Sequence, residues 1–236
     1  MMMDALGDVL WAFLPYITIA VFILGHVYKY ATDQYGWSSK SSEILDRRWL
    51  GVGSQLFHWG LLIVFLGHII GLLVPPSITL AMGITDEEYH RIAIILGGAS
   101  GLAAYVGVWI LLLRRSLINR VRATSDASDF LVLALLVVVM SLGLYNTLYY
   151  DIFIHPFDYR TTIGAWVMSV LTLHANPNYM TNVPISFQLH IVSTYALFLV
   201  WPFTRLVHMW SYPIFYLKRA WILYRGQETS EVVANA

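Results

Sequence analysis

Five apolar stretches recur along the chain, at about residues 9–28, 50–74, 90–113, 129–149 and 186–210. Each is close to the roughly 20 residues that a helix needs to cross the hydrocarbon of a bilayer. Between them the sequence turns polar over short runs, so the pattern predicts five membrane-spanning helices. The first stretch is aromatic and no small-residue cleavage site follows it, which reads as a retained helix rather than a signal peptide. A shorter apolar run at 162–173 sits among Pro156, Asn176, Pro177, Asn178 and Pro184 and predicts a short helix lying on the outer surface. The expected fold is an all-α membrane protein, with one five-helix domain over 1–225 and a polar tail over 226–236.

Composition agrees: 58% of the residues are apolar and 12% charged, against about 25% charged in an ordinary soluble domain. Fourteen basic residues balance fourteen acidic ones, so nothing suggests an electrostatic grip on nucleic acid. Having no cysteine excludes a disulfide scaffold, cysteine-ligated iron–sulfur clusters, Cys-type zinc sites and a thioether-attached c-type haem. Basic residues are unevenly placed. Lys29, Lys40, Arg47 and Arg48 follow the first span, Arg114, Arg115, Arg120 and Arg122 follow the third, and Arg205, Lys218, Arg219 and Arg225 mark the end of the fifth. The other side carries only Arg91 and Arg160, beside Asp86, Glu87, Glu88, Asp151 and Asp158. The positive-inside rule then places the N-terminus outside and the C-terminus in the cytoplasm.

Ionisable residues at membrane depth are rare and point to function. His58 and His68 fall in the second span, His190 and His208 in the fifth. The two spans run in opposite directions, so His68 and His190 lie toward the outer face and His58 and His208 toward the cytoplasm. Two imidazoles per iron suit a low-spin haem built for electron transfer, and the pairs predict two b-type haems within the helix bundle. Ideal rods do not deliver this arrangement. Ten residues between His58 and His68 rise about 15 Å, whereas eighteen between His190 and His208 rise about 27 Å. Tilt and a distortion before Pro202 are needed to close the gap. Gly60, Gly67 and Gly71 would admit a flat macrocycle near the backbone.

A quinol yields protons as well as electrons, so its site needs polar groups near the outer haem. Tyr89, His90 and Arg91, at the start of the third span, are the candidates, with the ring of His68. Arg205, three residues before His208, is placed to meet a propionate of the inner haem, with Arg114 and Arg115 at the same side. His26 reads as interfacial, and His155 and His174 as solvated or structural. Gly97, Gly98, Ser100 and Gly101 read as a patch where a neighbouring helix comes close.

At SSEILDRRWLGVGSQLFHWG, FLGHIIGLL, GGASG, RVRATSDASD and FQLHIVSTYALFLVWPFTRLVHMWSYPIFYL the chain resembles the gamma (cytochrome b) subunits of membrane-bound respiratory nitrate reductases, over nearly its whole length. The resemblance implies a distal haem b on His68 and His190 and a proximal one on His58 and His208. It further implies quinol oxidation at the outer face of the cell membrane, with electrons passing to an iron–sulfur beta subunit and on to a molybdenum-cofactor alpha subunit that reduces nitrate. One departure stands out: the family pattern has a lysine just before the third span, where TDEEYHRIAII offers Tyr89 or His90. The rival readings are a cytochrome b anchor of another anaerobic reductase, heterodisulfide- or sulfite-linked, and a haem-free transporter with a histidine proton path. The absence of acidic partners within the spans, and of paired broken helices, weighs against the transporter.

Overall fold

The computed structural model describes residues 6–211. The predicted tail over 226–236 lies outside the described residues, as do Lys218, Arg219 and Arg225. Among those described, all regular structure is helical, and five helices are long and apolar enough to cross a membrane. They are α1 (Leu6–Thr32), α2 (Arg47–Leu73), α3 (Asp86–Leu117), α4 (Ala127–Ile154) and α5 (Ile185–Phe203). Their ends follow local chemistry. Thr85 and Glu88 form a reciprocal cap at the start of α3, and Asp126 and Asp129 do the same for α4. Pro75 and Pro76 follow the end of α2, and Pro184 precedes α5.

The helices form an arc in which α2 packs on α3, α3 on α4, α4 on α5 and α5 on α1. The α2–α3 contact is the closest, and small residues make it so. A side-chain carbon on Gly60 would stand 2.5 Å from the carbonyl oxygen of Ser100 and 2.7 Å from the amide nitrogen of Ala104. On the same helix, Gly98 and Gly101 receive Leu148 and Leu144 of α4. The predicted small-residue patch therefore packs against both neighbours of α3. α2 and α5 share no extended helix-to-helix packing, which leaves a slot between them.

α5 departs from expectation. The sequence predicts one span over 186–210, but the α-helix ends at Val200, a 3₁₀ turn covers Trp201–Phe203, Thr204 is extended, and a second 3₁₀ segment runs Arg205–Ser211. Pro202 lacks the amide hydrogen that would bond the carbonyl of Phe198, and its ring crowds that carbonyl. It nests instead against Gly25 of α1, where a side-chain carbon would lie 2.8 Å from the proline ring.

The helix predicted over 162–173 exists, as Arg160–Gly164 running into Ala165–Leu171, but it does not simply lie on a surface. Ile163, Trp166 and Val170 are buried with Trp11, Met180 and Phe187, and the Trp166 indole donates to the carbonyl of Trp11 at 2.8 Å. Its apolar face closes that end of the bundle, because three of its side chains find buried partners there.

Candidate functional site

The four span histidines meet in two pairs across the slot. His58 and His208 have ring centres 6.0 Å apart with planes at 70°, and His68 and His190 have ring centres 6.3 Å apart with planes at 33°. The break at Pro202 makes this possible. A continuous helix would carry His208 about 27 Å from His190, whereas Thr204 turns the chain and returns His208 to the depth of His58.

Each ring is oriented by a backbone carbonyl. Nδ1 of His58 lies 2.8 Å from the carbonyl oxygen of Ser54, that of His68 2.8 Å from Val64, that of His190 3.0 Å from Val139 on α4, and that of His208 2.6 Å from Arg205. A carbonyl only accepts, so Nδ1 carries the proton in all four, and a neutral ring then offers its Nε2 lone pair as a ligand. Gly143 makes room for His190, since a side-chain carbon there would stand 3.1 Å from the ring. A metal–imidazole bond of about 2.0–2.1 Å, plus about 1.1 Å from nitrogen to ring centre on each side, separates two axial imidazoles by roughly 6 Å. Both pairs match that spacing. Among the described residues no group of three or more His, Asp or Glu could hold a bare ion, so the donors suit a cofactor that brings its own equatorial ligands.

The glycines divide. Gly67, next to His68, has nothing within 4 Å of its missing side chain, which leaves the open surface expected beside a macrocycle. Gly60 is filled by α3 and Gly71 by Tyr159 and Tyr89, so the expectation for these two is corrected: they serve helix and loop packing.

At the end bearing His58 and His208, a charge network ties the elements together. Asp129, buried at the start of α4, accepts from Arg205 Nε at 2.6 Å, with Nη2 at 2.5 Å, and from Arg115 Nη1 at 2.7 Å. Arg205 Nη1 donates to the carbonyl of Ser39 at 3.1 Å. Arg114 binds Ser42 and Asp46 ahead of α2. All three nitrogens of the Arg205 guanidinium thus have partners, and a propionate would have to share it with Asp129 and Ser39. From the RVRATSDASD stretch come Asp129 and Ser125, which accepts from Arg115 Nη1 at 2.7 Å, and nothing in the apolar periodicity revealed that Asp129 reaches Arg205.

At the opposite end, the three residues singled out for a quinol separate. Tyr89 lies under the Arg160 guanidinium, 4.0 Å from its carbon. His90 is half-buried, with Nε2 buried and unpaired. Arg91 is exposed and pairs with Glu87 at 2.5 Å. Arg160, read from the sequence only as an outer-side charge, and Tyr159, absent from that reading, stand beside Tyr89. Elsewhere, His26 accepts from the Trp210 indole at 3.1 Å, and His155 and His174 are exposed and bonded to local carbonyls.

Over residues 7–227 the chain matches the family described as nitrate reductase gamma subunit. It is 45% identical to the nitrate reductase gamma chain of Bacillus subtilis, across 93% of this chain and 98% of that one. It is 38% identical to the respiratory nitrate reductase 1 gamma chain of Escherichia coli, across 90% and 94%. A more distant relative is the Hdr-like menaquinol oxidoreductase cytochrome b-like subunit of Archaeoglobus fulgidus, 31% identical across 69% of this chain and 48% of that one.

Proposed function

The chain belongs to the nitrate reductase gamma-subunit family, a family of multi-pass membrane electron-transfer subunits, and from that premise we propose that it is a di-haem cytochrome b that oxidises quinol at the outer membrane face. The observation that carries the reading is the two histidine pairs, at 6.0 and 6.3 Å, each ring with Nδ1 committed to a carbonyl and Nε2 free. His68 and His190 would hold the distal haem, and His58 and His208 the proximal one. Bound there, the haems supply one-electron transfer from quinol toward an iron–sulfur beta subunit and a molybdenum-cofactor alpha subunit, where nitrate is reduced.

The chain's own residues do the rest. Four carbonyls fix the tautomer that would leave each Nε2 lone pair available to a haem iron. The apolar spans keep water from the slot. The polar residues at the start of α3 take the quinol, and its protons leave on the outer side. Basic residues at the other end hold that face in the cytoplasm. Protons released outside while electrons move inward separate charge across the bilayer, worth about 2.3 kcal/mol per charge at 100 mV. The Archaeoglobus relative keeps one other reading in view, a cytochrome b serving a different cytoplasmic reductase. Quinol-driven nitrate reduction by membranes holding the chain and its partners separates the two.

The direct test is a dithionite-reduced minus oxidised spectrum with pyridine haemochrome quantification. Two b-type haems per chain are expected. A folded chain purified in mild detergent without haem would overturn the proposal and bring the histidine proton path forward.

A further inference from the structure

Among the described residues, the end of the bundle bearing His68 and His190 contains a buried charged group, Arg160, whose bonding is incomplete. The Arg160 side chain is only 6% exposed. Its Nη2 donates to the Thr79 hydroxyl at 3.0 Å and to the carbonyl of Val74 at 3.3 Å. Nη1 reaches only the Asp86 carboxylate, at 3.5 Å, and Nε has no hydrogen-bond partner. A guanidinium carries five N–H donors, and leaving charged donors unpaired in a buried place is costly. Such an arrangement persists where something else completes it.

What surrounds Arg160 defines that something. Its carbon stands 4.0 Å over the ring of Tyr89, and the Tyr89 and Tyr159 hydroxyls approach the same backbone position on α2. The two meet at Gly71, where a side-chain carbon would lie 2.9 Å from the Tyr159 hydroxyl and 3.1 Å from that of Tyr89. Gly71 is three residues past His68, about one helical turn farther along α2. Burial holds the Tyr159 phenol well above its usual range, so it keeps its proton. His90, next to Tyr89, adds a second buried nitrogen without a partner. A cation, a hydroxyl pair and an aromatic face one turn from His68 match a planar aromatic ligand with an oxygen that becomes negative.

We propose that Arg160, with the Tyr89–Tyr159 hydroxyl pair, binds one oxygen of the quinol and favours its singly deprotonated form. The proposal rests on the quinol-oxidising reading above and adds to it residues of the connection between α4 and α5. On the way to the quinone, the quinol loses two protons and two electrons. The first O–H bond to break sends its proton to outer water and leaves an anion, which the guanidinium stabilises before the electrons depart. Arg91, exposed and paired with Glu87, is poorly placed for that task.

The test uses membranes holding the chain with its partner subunits. Binding of 2-heptyl-4-hydroxyquinoline N-oxide, an aromatic mimic with an ionisable oxygen, is followed by quenching of its fluorescence, and haem reduction by menadiol is followed as a function of its concentration. Arg160→Gln is expected to keep both haems, reducible by dithionite, while binding the mimic at least about tenfold more weakly and needing correspondingly more menadiol. Arg160→Lys, which keeps the charge and loses the fork, is expected to fall between. Wild-type affinity in Arg160→Gln would reduce Arg160 to a pin between Thr79 and its own helix and overturn the proposal. If that variant fails to assemble with two haems, Tyr159→Phe decides: haem content intact with weaker mimic binding supports the site, and unchanged binding overturns it. A wild type that neither binds the mimic nor is reduced by menadiol would sink the quinol reading itself, an outcome distinct from the failure of Arg160 alone.

Discussion

Asp129→Asn tests whether the charge network beside His208 holds that ligand in place. The Asp129 side chain is 2% exposed and meets Arg205 at 2.6 and 2.5 Å and Arg115 at 2.7 Å. The side chains of both arginines are themselves only 16% and 8% exposed. Removing one partner of a buried ion pair costs about 3–5 kcal/mol, because the remaining charge stays buried; here two guanidiniums would share a neutral amide that offsets neither charge. That is a large part of the roughly 5–15 kcal/mol by which proteins are stable. The damage should be local. The carbonyl of Arg205 accepts the Nδ1 proton of His208 at 2.6 Å, and losing an outer-shell partner typically weakens a metal site about 10–100-fold. The assay is pyridine haemochrome content together with a redox titration that resolves the two centres, followed by thermal unfolding in detergent. The expected result is depletion or a shifted potential of the inner haem, with the outer haem unchanged. The exposed Lys40–Asp126 pair, at 2.8 Å with both side chains about half exposed, is the control, and its loss should cost about 0–1 kcal/mol. Both haems retained at unchanged potentials in Asp129→Asn, with melting within about 2–4 °C of the wild type, would refute the reasoning.

Two further outcomes follow from the same geometry. His68→Ala or His190→Ala should remove the outer haem and spare much of the inner, His58→Ala or His208→Ala should do the converse, and equal loss of both haems in every variant, with the protein still inserted, would count against separate sites. Gly60→Val should loosen α2 from α3, since its new carbon would lie 2.5 Å from a backbone oxygen where ordinary contact begins at 3.4 Å. Overpacking of this kind costs about 1–3 kcal/mol. Gly67→Ala, with no protein atom within 4 Å, should leave helix packing unaffected; the two variants are compared by thermal unfolding followed through far-ultraviolet circular dichroism.

The one-dimensional pattern was enough for whatever depends on length and polarity. Apolar runs of bilayer length become helices in lipid, since every backbone polar group there must bond within its own segment, and α1 to α4 stand where those runs predicted, while α5 stops short at the Pro202 break. Pairing His68 with His190 and His58 with His208 was likewise legible, because antiparallel spans order residues by depth. GGASG announced close packing, and the structure spends it on both neighbours of α3. What the sequence could not settle was whether the pairs would meet, because its own arithmetic, about 15 Å against about 27 Å, said that straight helices would not allow it. Pro202 signalled a distortion, but only the nesting of its ring against Gly25 and the extended Thr204 show where the chain turns. The Val139 carbonyl that orients His190, the reach of Asp129 to Arg205, and the burial of Arg160 over Tyr89 belong entirely to the tertiary structure. They join residues 51 to 76 positions apart, and depth along a membrane normal carries no information about which faces of two helices turn toward each other.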